Sequence, residues 1–155
     1  MLALTKKTEY ALIALCHLAR ESGQIVSARD IATRYSVRLP LMMNVMKTLN
    51  QRGLLRSIRG ANGGYQLAAA ADRVSLADLF EAVEGPARLV HCAPPVEKSD
   101  RHCELVGCCP VRAPLHGIHR KLQSFLGETT VADVAFDAGF GRPDVPDSSL
   151  RVLAR

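Results

Sequence analysis

The stretch that decides the fold is residues 53–67, which read GLLRSIRGANGGYQL. We predict one strand over residues 54–58 and a second over residues 65–67. Residues 59–64 lie between them and contain three glycines and an asparagine, which tolerate positive φ values and favour a tight turn. The stretch therefore predicts a two-stranded hairpin with a slim, glycine-rich tip.

Three helices are predicted before this hairpin. Apolar side chains recur at helical spacing within residues 5–20, which predicts a helix with one buried face. Ser27 and Asp30 form a capping-box pattern that begins a short second helix, ending at about Tyr35. Pro40 suits the first turn of a third helix, which Gly53 ends.

Further helices are predicted after the hairpin. Ser75 and Asp78 repeat the capping-box pattern, and residues 85–86, Gly-Pro, end the helix that they begin. A long helix over about 111–127 carries an apolar stripe. The stripe consists of Val111, Leu115, Ile118, Leu122 and Phe125. Thr130 caps one more short helix.

This order of elements predicts a mainly α fold, a winged helix-turn-helix with a small β-hairpin wing and a long C-terminal helix. The predicted boundaries are 1–85 for the winged domain, 86–110 for a cysteine-rich loop, 111–135 for the long-helix region and 136–155 for a flexible tail. No apolar run reaches membrane-spanning length and no signal-peptide pattern is present, so we expect a cytoplasmic protein.

Charge is unevenly distributed along the chain. The net charge is +5, and residues 1–71 hold ten Lys and Arg against three Asp and Glu. This balance favours a polyanionic partner such as double-stranded DNA, although a solvated basic face is the simpler alternative. An enzyme is not expected, because the sequence contains no Cys-x-x-Cys, no phosphate-binding glycine loop and no recognisable Ser/His/Asp pattern.

The third helix is expected to enter the major groove, and an arginine on the wing suits the narrow minor groove. Arg and Asn read base edges, whereas Lys more often neutralises a phosphate. The predicted wing tip carries Arg56 and Arg59. The candidate DNA-binding residues are Ser27, Arg38, Asn44, Lys47, Thr48, Arg56 and Arg59.

Five cysteines are present, and four of them fall within the predicted loop at positions 92, 103, 108 and 109. Thiolates are soft ligands that hold iron–sulfur clusters or zinc, and the spacing alone leaves both open beside free thiols. Because the side chains of adjacent residues diverge, we expect three ligands: Cys92, Cys103 and one of the last two, with Cys109 preferred over Cys108. Cys16 is expected to be a packed core thiol.

Four segments together resemble the "Rrf-two" family of transcription regulators, typified by IscR-like and NsrR-like members. They are LTKKTEYAL at 4–12, the region of the third helix, the hairpin at 53–67 and LFEAVEG at 79–85. The resemblance covers roughly residues 1–135. It implies a homodimer joined through the helix at 111–127, Arg59 in the minor groove, and base contacts from the start of the third helix. There Pro40 and Met43 replace the Ser and Glu of IscR-like members, which implies a different target sequence.

The resemblance also implies three cluster-binding cysteines in this loop. IscR-like members use a histidine three residues after the third cysteine, but here that position is Arg112, or Val111 if counted from Cys108. NsrR-like members use an N-terminal acidic residue of the partner subunit, which corresponds to Glu9. We therefore predict Glu9 as the fourth ligand; a first-turn carboxylate favoured by the helix dipole is its alternative. His91 and His102 are alternative ligands, and His116 and His119 are expected on the exposed face of the long helix.

The function predicted from these observations is transcription regulation by a DNA-binding homodimer that carries a [2Fe–2S] or [4Fe–4S] cluster. The expected signals are redox state, nitric oxide, or iron and cluster supply. Two alternatives stay open, a cluster-free regulator of the same fold that senses oxidants through thiols and a DNA-binding protein stapled by zinc.

Overall fold

The structure, a computed structural model, describes residues 4–60, 63–85, 88–89, 92, 105 and 107–136. The predicted Cys103, His91, His102 and the tail beyond residue 136 lie outside these residues. The described elements are α1 (Lys6–Arg20), α2 (Ala28–Arg34), α3 (Leu39–Gln51), β1 (Leu55–Ile58), β2 (Gly64–Leu67), α4 (Leu76–Glu84), α5 (Arg112–Glu128) and α6 (Val131–Ala135). A 3₁₀ turn that the sequence did not predict covers Ala71–Arg73.

One hydrophobic core joins the first four helices. Helix α1 contributes Ala11 and Leu15, and α2 contributes Ile31, all fully buried. Helix α3 presents every third or fourth residue to them, as an amphipathic helix must. Its buried residues are Met42, Val45, Met46 and Leu49. Packing of these faces fixes α2 and α3 as the two helices of a helix-turn-helix.

Capping residues begin three of the helices where the sequence predicted. The Ser27 hydroxyl accepts from the backbone N–H of Asp30 at 3.2 Å and donates to the Asp30 carboxylate at 2.7 Å. Ser75 and Asp78 do the same at the start of α4. Thr130 caps α6 in this way. These boxes satisfy N–H groups that have no partner inside a helix, so the predicted helix starts are confirmed.

The hairpin is an antiparallel pair of strands in which Leu55 lies opposite Leu67 and Ile58 lies opposite Gly64. Val26 extends the pairing, since its N–H donates to the Tyr65 carbonyl at 3.1 Å and its carbonyl accepts from the Tyr65 N–H at 2.9 Å. The hairpin is therefore attached to the segment that precedes α2. The predicted mainly α fold with a small two-stranded sheet is confirmed.

Gly64 is required where the hairpin approaches this segment. A β-carbon at position 64 would lie 2.5 Å from the Val26 carbonyl oxygen and 2.8 Å from its carbon, and neither backbone atom can rotate away. We expect Gly64→Ala to lower the free energy of unfolding by about 1–3 kcal/mol, the range for overpacking. Urea denaturation measures this change.

Gly127→Ala is the matched control, because no atom lies within 4 Å of a β-carbon at position 127, which is inside helix α5. The control is expected to leave stability unchanged or to raise it by up to about 1 kcal/mol, since alanine favours helix. Equal stabilities of the Gly64→Ala variant and the wild type would contradict the predicted clash.

Helix α5 leaves the core, and the chain then returns to it. Helix α5 packs on α4, whereas α6 packs on α1 and on the 3₁₀ turn. Val131 and Ala135 of α6 are buried in the core of the winged domain, and Arg20 Nε donates to the Ala135 carbonyl at 2.8 Å. The C-terminal end of α5 is thus attached to the winged domain through α6.

The predicted apolar stripe of α5 is largely uncovered within the described chain. Val111, Ile118 and Phe125 are each more than half exposed, while Leu115 and Leu122 are half-buried. These five residues follow alternating intervals of four and three, which is the spacing of a helix-pairing seam. In the described residues no helix is long and apolar enough to cross a membrane.

Candidate nucleic-acid interface and cysteine loop

Helix α3 has one face in the core and one facing solvent. Asn44 and Lys47 lie on the exposed face, and Arg38 is exposed at the N-cap. The Thr48 hydroxyl instead donates to the Asn44 carbonyl at 2.9 Å, within its own helix. Arg38, Asn44 and Lys47 therefore present polar groups at the surface expected to enter the major groove, while the Thr48 proton is already used.

Ser27 begins α2, but its hydroxyl is engaged in the capping box with Asp30. The turn from α2 to α3 contains Ser36 with a φ of 54°, a left-handed conformation that is uncommon outside glycine. The Val37 N–H then donates to the Ala32 carbonyl at 2.9 Å. This turn sets the angle at which α3 leaves α2.

The two wing arginines differ in their placement. Arg59 is exposed and follows β1 directly, at the tip of the hairpin. The prediction that Arg56 also lies at the tip is wrong, because it lies within β1 opposite Gln66. Arg56 Nη2 donates to Gln66 Oε1 at 2.9 Å, and Gln66 Nε2 donates to the Gly23 carbonyl at 2.8 Å. Arg59 alone is positioned to reach beyond the hairpin.

A groove of about 640 Å³ separates the N-terminal turns of α1 from α3. The α1 side consists of Lys6, Lys7 and Tyr10, which the sequence analysis did not assign to the interface. The α3 side includes the predicted Asn44, Lys47 and Thr48. The adjacent Lys6 and Lys7 were the feature of the sequence that could have predicted this part of the interface. Only the packing of α1 on α3 shows that these lysines lie beside Lys47. Three ammonium groups at one groove favour a phosphate strand.

The cysteine loop leads directly into α5. Cys92 and Cys109 are half-buried and Cys108 is exposed. The N–H groups of Cys108 and Cys109 both donate to the Leu105 carbonyl, at 3.0 and 2.8 Å. The two adjacent thiols therefore lie in a compact turn immediately before the long helix.

Thiolate sulfur is the donor that iron–sulfur clusters require, so the chemistry of these side chains fits such a group. Within the part of the chain that the structure describes, no group of three or more His, Cys, Asp or Glu side chains is arranged to hold a metal ion. The predicted ligand Cys103 lies outside that part.

Two histidines of α5 are not where the sequence predicted them. His119 is 1% exposed, and its Nδ1 accepts from the Leu89 N–H at 3.5 Å. His116 Nε2 is also buried and has no hydrogen-bond partner among the described residues. The expectation that both lie on an exposed face is wrong, because α5 packs this side against α4. His119 instead holds the start of the cysteine loop against α5.

Glu9 lies in the first turn of α1, where the positive end of the helix dipole favours a carboxylate. Its Oε2 lies 2.6 Å from Lys6 Nζ, and this ion pair raises the pKa of Lys6. A metal ion would therefore compete with Lys6 for this carboxylate. Cys16 is not a candidate metal ligand, because it packs against the core as predicted and burial raises the pKa of its thiol.

Glu84 connects the end of α4 to the start of α1. Its Oε1 accepts hydrogen bonds from the hydroxyls of Thr5 and Thr8, the latter at 2.7 Å. These bonds, that from Thr5 first, hold the pKa of the Glu84 carboxyl below its usual value. Because Gly85 and the cysteine loop follow, Glu84 ties the beginning of the loop to the helix that carries Lys6 and Lys7.

Comparisons with known proteins agree with this architecture. The Rrf2 family model, described as an iron-dependent transcriptional regulator, matches residues 4–137. The HTH-type transcriptional regulator NsrR of Bacillus licheniformis is 31% identical over 124 residues, 79% of this chain and 82% of that protein. IscR of Cereibacter sphaeroides, also named an HTH-type transcriptional regulator, is 32% identical over 91 residues, 57% of this chain and 59% of that protein.

A solved structure extends the likeness to three dimensions. The structure of CymR, the global cysteine regulator of B. subtilis, has a TM-score of 0.70 at 27% identity, and the match covers 88% of this chain and 98% of CymR. These relatives are named as regulators and not as enzymes. With its winged helix-turn-helix and its match over residues 4–137, this chain belongs to the Rrf2 family of DNA-binding transcriptional regulators.

Proposed function

We propose that this chain is a homodimeric regulator whose affinity for a palindromic operator is set by an iron–sulfur cluster on the loop between α4 and α5. One observation carries the proposal: Cys92, Cys108 and Cys109 lie in the segment that joins the winged domain to the long helix. Cys109 precedes α5 by a single turn, and Leu89, three residues before Cys92, is bonded to His119 of α5. Binding or loss of a cluster at this loop therefore affects both the winged domain and α5.

Cys92, Cys103 and Cys109 are the proposed thiolate ligands, with Cys108 as the alternative to Cys109. Glu9 of the partner subunit is the proposed fourth ligand. Binding of its carboxylate to the cluster requires that the ion pair between Glu9 and Lys6 break. When bound, a [2Fe–2S] or [4Fe–4S] cluster supplies iron–thiolate bonds that are sensitive to oxidants, to nitric oxide and to iron supply.

The stripe on α5 is the proposed dimer seam. Three large apolar side chains that are more than half exposed on one helix face are unusual unless a partner covers them. Their spacing suits pairing with the same helix of a second copy. Since α5 packs on α4 and α6 joins its C-terminal end to the winged domain, the seam also fixes how far apart the two recognition helices lie.

Contacts on either side of the loop connect the presence or absence of a cluster to the DNA-binding domain. His119 of α5 accepts a hydrogen bond from Leu89 at the start of the loop. Glu84, at the end of α4, accepts hydrogen bonds from Thr5 and Thr8 at the start of α1, beside the two lysines. Cluster binding to the loop therefore changes the spacing of two DNA-reading units, and half-sites on a duplex accept only a narrow range of spacings. A coupling of about 1–3 kcal/mol changes affinity about 5–150-fold.

Anaerobic reconstitution tests the proposal directly. The protein is purified without air, its visible absorption, iron and sulfide are measured, and DNA binding of the cluster-loaded and cluster-free forms is compared. We expect a coloured protein whose two forms differ at least about fivefold in affinity for a palindromic site. Equal affinities would contradict the proposed function.

A thiol-based regulator is the second candidate, favoured by the exposure of Cys108 beside Cys109. CymR, the global cysteine regulator of B. subtilis, shares the fold at 27% identity. For this candidate, air-free protein would be colourless, oxidants would still change DNA binding, and alanine at Cys92 would leave that response intact. A colourless protein that contains zinc would instead indicate the zinc-stapled form.

A further inference from the structure

The recognition helix carries an exposed methionine that packing does not explain. Met43 is 54% exposed, whereas Met42 and Met46 on the same helix are fully buried. Met43 is the fifth residue of α3, close to the end of the helix that contacts base edges in helix-turn-helix proteins. Helical spacing places it on the same side as Pro40 and Lys47, outside the face formed by the buried residues.

The charges around α3 identify what covers this surface. Lys6, Lys7 and Lys47 line the neighbouring groove, Arg38 is exposed at the N-cap, and the first turn of α3 contains no acidic residue. Lys6 is paired with Glu9, but a protein partner with an apolar surface would bring no counter-charge to Lys7, Lys47 and Arg38. The phosphate strands on either side of a major groove complement them.

The chemistry of the side chain limits what it can recognise. A thioether donates no hydrogen bond and accepts only weakly, so Met43 cannot pair with the amino, carbonyl or ring-nitrogen groups of a base edge. The apolar feature that unmodified B-DNA presents in the major groove is the C5 methyl group of thymine. An unbranched, polarisable side chain adapts its shape to such a group.

We propose that Met43 reads the C5 methyl group of a thymine, so that each operator half-site has a T·A pair opposite the start of α3. The proposal rests on the proposed function, because it requires α3 to enter the major groove of a two-half-site operator. Removing one buried methyl group from such a contact is expected to weaken binding about fourfold per half-site.

Deoxyuridine provides the test, because it lacks only the C5 methyl group of thymidine. An operator is first selected by the full-length dimer from a random double-stranded library, and each thymine of the selected site is then replaced singly by deoxyuridine. We expect one symmetric thymine position at which the replacement weakens wild-type binding about fourfold per half-site. At the other positions no such loss is expected.

Substitutions of Met43 test whether this side chain causes the weaker binding of the deoxyuridine operator. Met43→Ala is expected to bind the thymine and deoxyuridine operators equally, while Met43→Leu, which keeps apolar volume, retains the discrimination. Leu41→Ala is the matched control, since Leu41 is 46% exposed on the same helix but lines the groove beside α1. This control is expected to keep the fourfold discrimination. Thermal unfolding verifies that each variant is folded.

Two results would overturn the proposal: a wild-type protein insensitive to deoxyuridine at every position, or a Met43→Ala variant as sensitive as the wild type. The comparison uses whichever form, cluster-loaded or cluster-free, binds more tightly. Failure of cluster dependence appears separately, as equal affinities of the two forms, and the deoxyuridine result then still decides the role of Met43.

Discussion

Replacing Cys92 by alanine is expected to abolish cluster binding and with it the difference between the two DNA-binding states. Air-free Cys92→Ala protein is expected to be colourless, with iron and sulfide below about a tenth of the wild-type content, because a cluster held by three thiolates loses one of its strong ligands. Visible absorption and iron and sulfide assays measure the loss. DNA titrations with and without iron and sulfide are then expected to coincide.

Cys16→Ala is the matched control for this experiment. Its thiol packs against the core from α1, and burial raises its pKa, which keeps it in the poorly ligating protonated form. The control is expected to retain colour and the coupling proposed for the wild type, about 5–150-fold in affinity. Full iron content in the Cys92→Ala protein would contradict the assigned ligand.

The second large effect is expected at the centre of the α5 stripe. Ile118 is 53% exposed in the single chain, so a glutamate there costs the monomer little. In a paired seam the same carboxylate would be buried without a counter-charge, at a cost of about 3 kcal/mol or more. We therefore expect Ile118→Glu to weaken dimerisation more than about a hundredfold and to yield a folded monomer. Sedimentation or light scattering measures the molecular mass.

Gln123→Glu introduces the same charge at an exposed position of α5 that lies outside the stripe. This variant is expected to remain dimeric and to bind a palindromic site like the wild type. The Ile118→Glu monomer is expected to lose most of its affinity for that site, since only one half-site is occupied at a time. A dimeric Ile118→Glu protein would exclude the stripe as the seam.

Much of the winged domain was predictable because its signals are local. The three capping boxes at Ser27, Ser75 and Thr130 act between residues three positions apart, so the sequence places the helix starts without knowledge of the fold. The glycines of residues 60–64 act locally in the same way. The order of these elements then predicts the winged helix-turn-helix, whereas the family follows from the resemblance of particular segments such as residues 53–67.

The candidate site was predictable only in part. Asn44, Lys47 and Arg59 lie on exposed surfaces as expected, but Arg56 is held by Gln66 within the hairpin. That contact depends on strand register, which pairs residues ten positions apart. Lys6 and Lys7 were not assigned, because their position beside α3 depends on helix packing.

By itself, the sequence determined the helix starts, the hairpin, the separation of a basic DNA-facing part from a cysteine loop, and the apolar stripe of α5. Only the tertiary structure decided that α6 returns to the core, that His119 is buried against Leu89, and that Glu84 bonds to Thr5 and Thr8. The physical reason is the range of the interactions: caps and turns are set by neighbours along the chain, whereas burial and long-range hydrogen bonds depend on which faces the folded helices bring together.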